Sequence, residues 1–460
     1  MHSYVSRVAV ATLLAMASVG SIAASAGQAA SGPMPPDGPC MPPPAKAALT
    51  LAQARLDALR CNRDIISARR GEEASQADIQ IASQRPNPVL SLGVANINPH
   101  LGVGAGNWRS KTVDSTVRVD QVIETANKGN LRTDAARKAS AAAGEQTQAV
   151  VAQQVSAVEQ AWYDAVASQS RVEVLTETVG LYGKTQQANE ARLKAGDVAR
   201  ADVTKLQLET LRAQSDLRSA QSDYATSKAA LAGTIGLPGT LLDNRLVPDW
   251  PALDAPVPPV DPEVLQRRPD VTAAEARLAA AASARDLARA GRVPDVTVGA
   301  QYEHYPVSEA NTTGSGNSYG VFISIPLFVR HSFGGEARRA EVDYYAALDD
   351  RNRILLAAQN DIERLRSQLE LARASLQQMQ TAVLPAAETV AQSAEFAYTK
   401  GATGVLDLLD ARRALRQTRL DAVDVQGNFA KAMAAYRAAL QATTSDINKL
   451  PQVRTDASHP

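Results

Sequence analysis

The feature that most constrains this chain is a repeat with a period of about 205 residues. Gly196 and Asp202, in Leu-Lys-Ala-Gly-Asp-Val-Ala-Arg-Ala-Asp-Val, return as Gly401 and Asp407 in Thr-Lys-Gly-Ala-Thr-Gly-Val-Leu-Asp-Leu. Pro88 with alternating Leu90, Leu92 and Val94 returns as Pro294 with Val296, Val298 and Ala300. Asn62-Arg63-Asp64 opens one half as Arg268-Pro269-Asp270 opens the other. Solenoid units run about 20–50 residues. The longer period marks a duplicated half of one fold, so whatever the first half builds, the second builds again.

Each half reads helix, strand, loop, strand, long helix, turn, helix. A helix is predicted from near Thr50, with Leu51, Ala54, Leu56, Leu59, Ile65, Ile66, Ile79 and Ile81 at approximate helical spacing. It stops at Arg85-Pro86-Asn87-Pro88, because proline lacks a donor and clashes with the preceding turn. Strand alternation follows in pairs. Leu90, Leu92 and Val94 precede Val113, Val117 and Val119; Val296, Val298 and Tyr302 precede Val321, Ile323, Ile325 and Leu327. Segments of about ten residues with one apolar and one polar face are the mark of membrane β-strands. A soluble sandwich would need about seven strands, and four in 460 residues are too few. The stretches 131–194 and 336–400 then read as helices of roughly 90 Å at 1.5 Å per residue. Pro385 falls in the second, and each returns through a glycine-containing turn.

Composition agrees with long helices and thin seams. Aromatics are 4%, and 48 basic residues balance 48 acidic ones, which leaves no nucleic-acid footprint. Arg7, the apolar run Val8 to Ile22 and Ala24-Ser25-Ala26 read as a cleavable secretory signal. An exported chain meets an oxidising compartment, where the pair Cys40 and Cys61 favours a disulfide over two thiols. The histidines His2, His100, His304, His331 and His459 share no i, i+4 face, and no Cys/His cluster occurs, so no bound metal or cofactor is expected. Gly102-x-Gly104-x-Gly106 opens no helix and is no dinucleotide fingerprint; no catalytic constellation is present, and no enzymatic activity is expected. Trp108, Tyr302, Tyr305 and Tyr319 fit aromatic belts at a barrel rim, ordinary loop packing being the other reading of Trp108. Asn311-Thr312-Thr313 matches a glycosylation sequon by chance.

The expected organisation is a signal peptide (1–26), a proline-rich arm (27–48), a first repeat (49–247; β-hairpin 88–124, helical hairpin 131–236), a strap (248–262), a second repeat (263–445; β-hairpin 294–328, helical hairpin 336–443) and a disordered tail (446–460). Four strands cannot close a barrel, whose minimum is eight. Open edges in lipid cost several kcal/mol per unpaired backbone group. Membrane strands in this chain therefore demand oligomerisation, and three copies give twelve.

The residues Leu265-Gln266-Arg267-Arg268-Pro269-Asp270-Val271, with Ala274-Glu275 and Leu278 to Ala281, resemble a hallmark of the TolC-type outer-membrane factor family. So do Ile325-Pro326-Leu327-Phe328 with Gly334-Gly335, and Tyr398-x-x-Gly401 with Leu406-Asp407-Leu408-Leu409-Asp410. The resemblance covers about residues 48 to 445. It implies a mainly α chain with transmembrane β, a homotrimer whose twelve-stranded barrel in the outer membrane of a Gram-negative bacterium continues into a periplasmic α-helical barrel. It further implies passive export, with a periplasmic adaptor (a membrane fusion protein) and an inner-membrane pump of the resistance-nodulation-division type as partners. Asn127-Lys128-Gly129, Pro326-Leu327-Phe328 and the Val405 to Asp410 turn look most like the cobalt–zinc–cadmium branch; drug efflux or type I secretion is the alternative within the family. A periplasmic coiled-coil scaffold is the rival outside it. Many relatives carry a lipid-acceptor cysteine, which this chain lacks.

On that resemblance the hairpin tips, Arg192, Leu193, Gly196, Tyr398, Gly401, Leu406 and Asp407, are expected to contact the adaptor. Helix-ending glycine with positive φ explains Gly196 and Gly401 equally well, and the two readings are compatible. Glu190 and Glu395 each precede their glycine by six residues, so a trimer would gather six carboxylates at the periplasmic mouth. Solvated helix carboxylates are the plainer reading. Asp202 and Asp407 sit where the helix dipole alone favours acids.

Overall fold

The computed structural model describes residues 40, 48–97, 113–238, 244–257, 259, 262–305 and 316–440. The signal segment, most of the arm, Trp108, the glycine run 102–106, the sequon, His2, His100, His459 and the tail lie outside these residues. The chain divides into an N-terminal unit, Met1–Met41, described only at the half-buried Cys40, and a main unit, Pro42–Pro460.

In the main unit the first repeat begins with α1 (Leu51–Cys61) and α2 (Arg63–Ser83). One continuous helix was expected here, and Asn62 is why there are two. Its side chain accepts from the backbone N–H of Asp64 at 2.9 Å and of Ile65 at 3.1 Å, capping α2. Its amide donates to the Thr234 carbonyl at 2.7 Å. That contact locks the entry of the repeat onto its far end. Gly236 (φ +97) closes that end, and a Cβ there would lie 2.2 Å from the Cys61 carbonyl oxygen.

The strands β1 (Val89–Ala95), β2 (Asp114–Ile123), β3 (Val296–His304) and β4 (Asn317–Ser324) form one antiparallel sheet in that order. The β2–β3 pairing, Val117 opposite Tyr302, joins the two repeats. β4 stops at Ser324, short of the expected Leu327. Pro326 has no N–H to give a ladder, and β4 is an edge strand. The other edge is β1.

Out of the sheet run α3 (Lys128–Ala195), 68 residues and roughly 100 Å long, and its return α4 (Arg200–Ile235). The second repeat adds a short helix α5 (Pro262–Arg267), not foreseen from the sequence, then α6 (Pro269–Ala290) before its strands. After them come α7 (Gly334–Gln378), a π-helical turn (Met379–Val383), α8 (Leu384–Thr399) and α9 (Val405–Leu440). The π turn sits just before Pro385, and the Leu384 N–H reaches back five residues to Met379. A widened turn is how a helix absorbs a residue that cannot donate. The repeat counterpart is Gly180, and there α3 runs on unbroken.

The helical seams are thin and alanine-rich, with Trp162, Tyr182, Phe429 and Tyr436 as the largest buried side chains. The inter-repeat strap is clamped onto them. Trp250 stacks on Tyr163 at 6.0 Å, and Leu253, Ala255 and Val257 cover a cluster of Leu369, Leu376, Phe429, Met433 and Tyr436. Leu246 pairs with Leu49 in a parallel bridge. Among the described residues no helix is long and apolar enough to cross a membrane.

Candidate functional site

Two regions carry functional geometry, the sheet and the paired hairpin tips. Alternation along the strands sorts side chains to opposite faces. One face holds Leu90, Leu92, Val94, Val117, Val119, Val298, Tyr302, Tyr319, Val321 and Ile323. Leu92 is 74% exposed and Val321 78%, so this face is uncovered hydrocarbon. Tyr302 and Tyr319 lie opposite one another, rings 5.4 Å apart, near the end of the strands where β3 leads out and β4 enters. The opposite face carries Asp114, Thr116, Arg118, Asp120, Gln301 and Glu303. Arg118 pairs with Asp120 at 2.8 Å and lies over the Phe322 ring at 4.6 Å; Tyr305 donates to Glu303 at 2.7 Å. Three carboxylates against one guanidinium leave this face acidic.

Where the sheet meets the helices, Lys128 of the Asn127-Lys128-Gly129 segment donates to Asp295 at 2.8 Å, and Thr125 N–H to the same carboxylate at 2.9 Å. These contacts hold the Asp295 carboxyl below its ordinary range despite partial burial. Arg132 pairs with Glu124 and donates to the Ala82 and Gln84 carbonyls. The segment is therefore a brace between the halves.

At the far end, α3 closes on Gly196 (φ +86) and α8 on Gly401 (φ +74). A Cβ at either would touch nothing within 4 Å, so backbone conformation alone demands glycine. The two tips pack together. Tyr182, Leu206, Ala213, Val405 and Leu409 form a buried cluster with Val179 and Tyr398 against it. Tyr398 donates to Asn189 at 2.5 Å and accepts from Arg192 at 3.3 Å, with the guanidinium 5.6 Å from the Tyr398 ring centre. Of the residues expected to face a partner, Arg192, Gly196, Gly401, Leu406 and Asp407 are exposed, while Leu193 and Tyr398 are half-buried. Asp202 and Asp407 both lie in the first turns of their helices.

The carboxylate pair is not symmetric. Glu190 accepts from the amides of Gln186 at 2.9 Å and Gln207 at 3.3 Å, which lower its pKa with a smaller pull from Lys194, and no cation stands in ion-pair contact with it among the described residues. Glu395 instead pairs with Arg412 at 3.1 Å. Arg412 is 6% exposed and also donates to Thr185 at 2.6 Å. Gln207 and Arg412 are themselves repeat counterparts, so one contact occurs twice, once neutral and once charged. A trimer was expected to gather six equivalent carboxylates; of the two per chain, Glu395 has an arginine in ion-pair contact and, among the described residues, Glu190 has no such partner. Next to it Arg413 binds the buried Glu209 at 2.7 Å, and Arg212 binds the same group at 2.9 Å. The Arg413 hydrogen bond is the main cause of the depressed Glu209 pKa. Reading the sequence missed Arg412, Arg413, Glu209, Asn189 and Tyr182; the Gln207/Arg412 mismatch between otherwise matching halves was the available signal. Among the described residues no trio of His, Cys, Asp or Glu is arranged to hold a metal ion.

A sheet with one hydrocarbon face and one acidic face, set on long helical hairpins, defines an outer-membrane channel subunit. The outer membrane efflux protein family matches residues 54–237 and 262–442, and the chain belongs to that family. It is similar to the cobalt-zinc-cadmium resistance protein CzcC of Cupriavidus metallidurans, 28% identical over 404 residues that cover 85% of this chain and 89% of that protein. It is also similar to the pyoverdine export outer membrane protein OpmQ of Pseudomonas putida, 28% identical but over only 52% of this chain and 53% of that one. The outer-membrane channel OprN superposes with a TM-score of 0.69 at 20% identity, covering 85% of this chain and 89% of that one. The protein is an outer-membrane efflux channel that reaches into the periplasm.

Proposed function

We propose that three copies assemble into a passive exit duct for heavy-metal cations, with no enzymatic step of its own. The observation that carries this is the sheet, which has hydrocarbon on one face, acids on the other, and open edges at β1 and β4. Unpaired edges are not tolerated in lipid, and a twelve-stranded closure by three chains removes them. The acidic face then lines the lumen, where carboxylates raise local cation concentration. The tips, around Gly196 and Gly401, meet a periplasmic adaptor that couples the duct to a resistance-nodulation-division pump. Glu190 stands at the periplasmic mouth. Metal cargo is favoured over the siderophore named for OpmQ because the likeness to CzcC spans most of both chains.

The test is growth of a host lacking the gene on zinc, cadmium and cobalt, beside a drug panel, with the full chain restored. Sensitivity confined to the metals supports the reading; sensitivity to drugs alone overturns the cargo. In planar bilayers Glu190→Gln should lower cation selectivity, and an unchanged reversal potential would leave Glu190 a plain solvated carboxylate.

A further inference from the structure

We propose that the segment following β4, residues 328–339, is an interfacial anchor that binds anionic phospholipid headgroups at the periplasmic leaflet. The proposal rests on the barrel reading for the direction in which the apolar face points. Tyr319, Val321, Ile323, Ile325 and Leu327 recur at every second position and are all exposed, Leu327 by 82%. From Tyr319 to Leu327, three residues past the end of β4, are eight steps, at most roughly 26 Å of extended chain at about 3.3 Å each and about 20 Å of depth at a tilt near 40°. The lipid-facing band of an outer-membrane barrel is about 25 Å tall. Counted from Tyr319, Leu327 therefore stands within about 5 Å of the far edge of that band, and there the chain turns, with the Val329 N–H bonded back to the Leu327 carbonyl at 2.9 Å.

What stands at that depth is an aromatic knot followed by arginines. Phe333, in left-handed conformation at φ +55, packs edge-on against Phe328 at 4.9 Å and His331 at 4.4 Å. A non-glycine residue holds that conformation only when its surroundings fix it, and ring packing fixes it here. Aromatic side chains at the hydrocarbon boundary are the usual interfacial anchors. Arg330 and Arg338 are exposed, and among the described residues neither has a carboxylate partner. Nearby acids are already engaged. Glu336 binds His331 at 2.8 Å, and Asp343 binds Arg339 at 3.7 Å. The first turn of α7 is occupied by Glu336 itself, so the helix end is not the anion site. The headgroup layer beyond the hydrocarbon is about 5–7 Å thick per side, and Arg338, four residues into α7, lies roughly 6 Å along the helix from Gly334. Two uncompensated guanidiniums at that level meet the phosphates of an anionic leaflet.

The full-length protein is reconstituted in mixed phosphatidylglycerol–phosphatidylcholine bilayers, and lipid preference is read by electron spin resonance of headgroup-matched spin-labelled lipids. Wild type should prefer phosphatidylglycerol at low salt and lose the preference at high salt. Arg330→Gln and Arg338→Gln should each lower it by about fivefold, from roughly 1 kcal/mol per basic residue near an anionic surface. Arg330→Lys with Arg338→Lys should keep it. An equal preference for both lipids in wild type, or an unchanged preference in the double glutamine variant, overturns the proposal. Oligomer size and single-channel conductance of the same samples report on the barrel separately. A conducting trimer without lipid preference defeats the anchor alone, whereas loss of the trimer in wild type defeats the barrel reading. If the double variant fails to assemble, the single variants and the salt series decide.

Discussion

Replacing Arg412 by glutamine makes the second tip copy the first, because Gln207 is the residue that faces Glu190 at the equivalent place. The exchange removes the 3.1 Å pair with Glu395 and the 2.6 Å bond to Thr185. Glu395 is 53% exposed, so the ion pair is screened and is worth about 0–1 kcal/mol. The Thr185 bond adds about 1 kcal/mol, and glutamine can recover part of both. Loss of stability should therefore stay near 1–2 kcal/mol, a small shift in thermal unfolding. The electrostatic effect is larger. Each chain gains one carboxylate without an ion pair, hence three in the proposed trimer. For an axial ion taken about 10 Å away, each would contribute roughly 0.4 kcal/mol per unit charge in water. One Debye length of screening at 0.1 M brings the three together to about 0.45 kcal/mol for a monovalent cation and twice that for a divalent one. Cation accumulation at the mouth should rise about twofold for potassium and four- to fivefold for zinc. The assay is the reversal potential under a salt gradient in planar bilayers, at low and high ionic strength. A shift toward the cation potential that fades with salt is expected. A reversal potential equal to wild type at low salt would refute the idea that Arg412 silences Glu395 at the mouth.

Other expectations follow from the same geometry. Gly196→Ala and Gly401→Ala should each cost about 1–2 kcal/mol by thermal unfolding, purely through positive φ, and should weaken adaptor capture in pull-downs. Glu209 has a depressed pKa, so its contribution is present above the ordinary carboxylate value near 4.5 and is lost as pH falls through the lower folded value. Thermal unfolding of wild type should therefore fall below about pH 4.5, and Glu209→Gln should be less stable at pH 7 with a flatter profile; parallel profiles would count against the Arg413–Glu209 link. Non-reducing peptide mapping of the exported protein should recover Cys40 and Cys61 in one linked fragment, and two alkylatable thiols would dismiss the bridge.

The repeat made much of the fold legible because hydrophobic period is a local signal. Alternation at Leu90–Val94 and Val296–Val298, the glycines at 196 and 401, and the long proline-free stretch before Gly196 all act within a few residues. What stayed hidden depends on neighbours distant in sequence. Asn62 breaks a helix because its side chain finds the Asp64 and Ile65 amides and the Thr234 carbonyl together. Pro385 was visible, but not that a π turn would absorb it without ending the helix. At the tips Glu190 and Glu395 look alike in sequence. They differ only because Gln207 stands across from one and Arg412 across from the other, a distinction 17 residues away along the chain in each case.

The claim that the open edges close between chains can be tested directly. In one protomer β1 and β4 are separated by two strands, about 14 Å edge to edge at roughly 4.8 Å per strand. That is too far for a disulfide, which needs Cα atoms within about 7 Å. Cysteines are placed at Leu92 and Ile323 in a chain whose Cys40 and Cys61 are replaced by serine. A short bifunctional thiol reagent, shorter than that span, is then applied to outer-membrane preparations. Covalent dimers that chase to trimers and no further are the predicted result. A chain that stays monomeric, a ladder that stops at two copies, or one that runs past three would contradict closure of a twelve-stranded barrel by three chains.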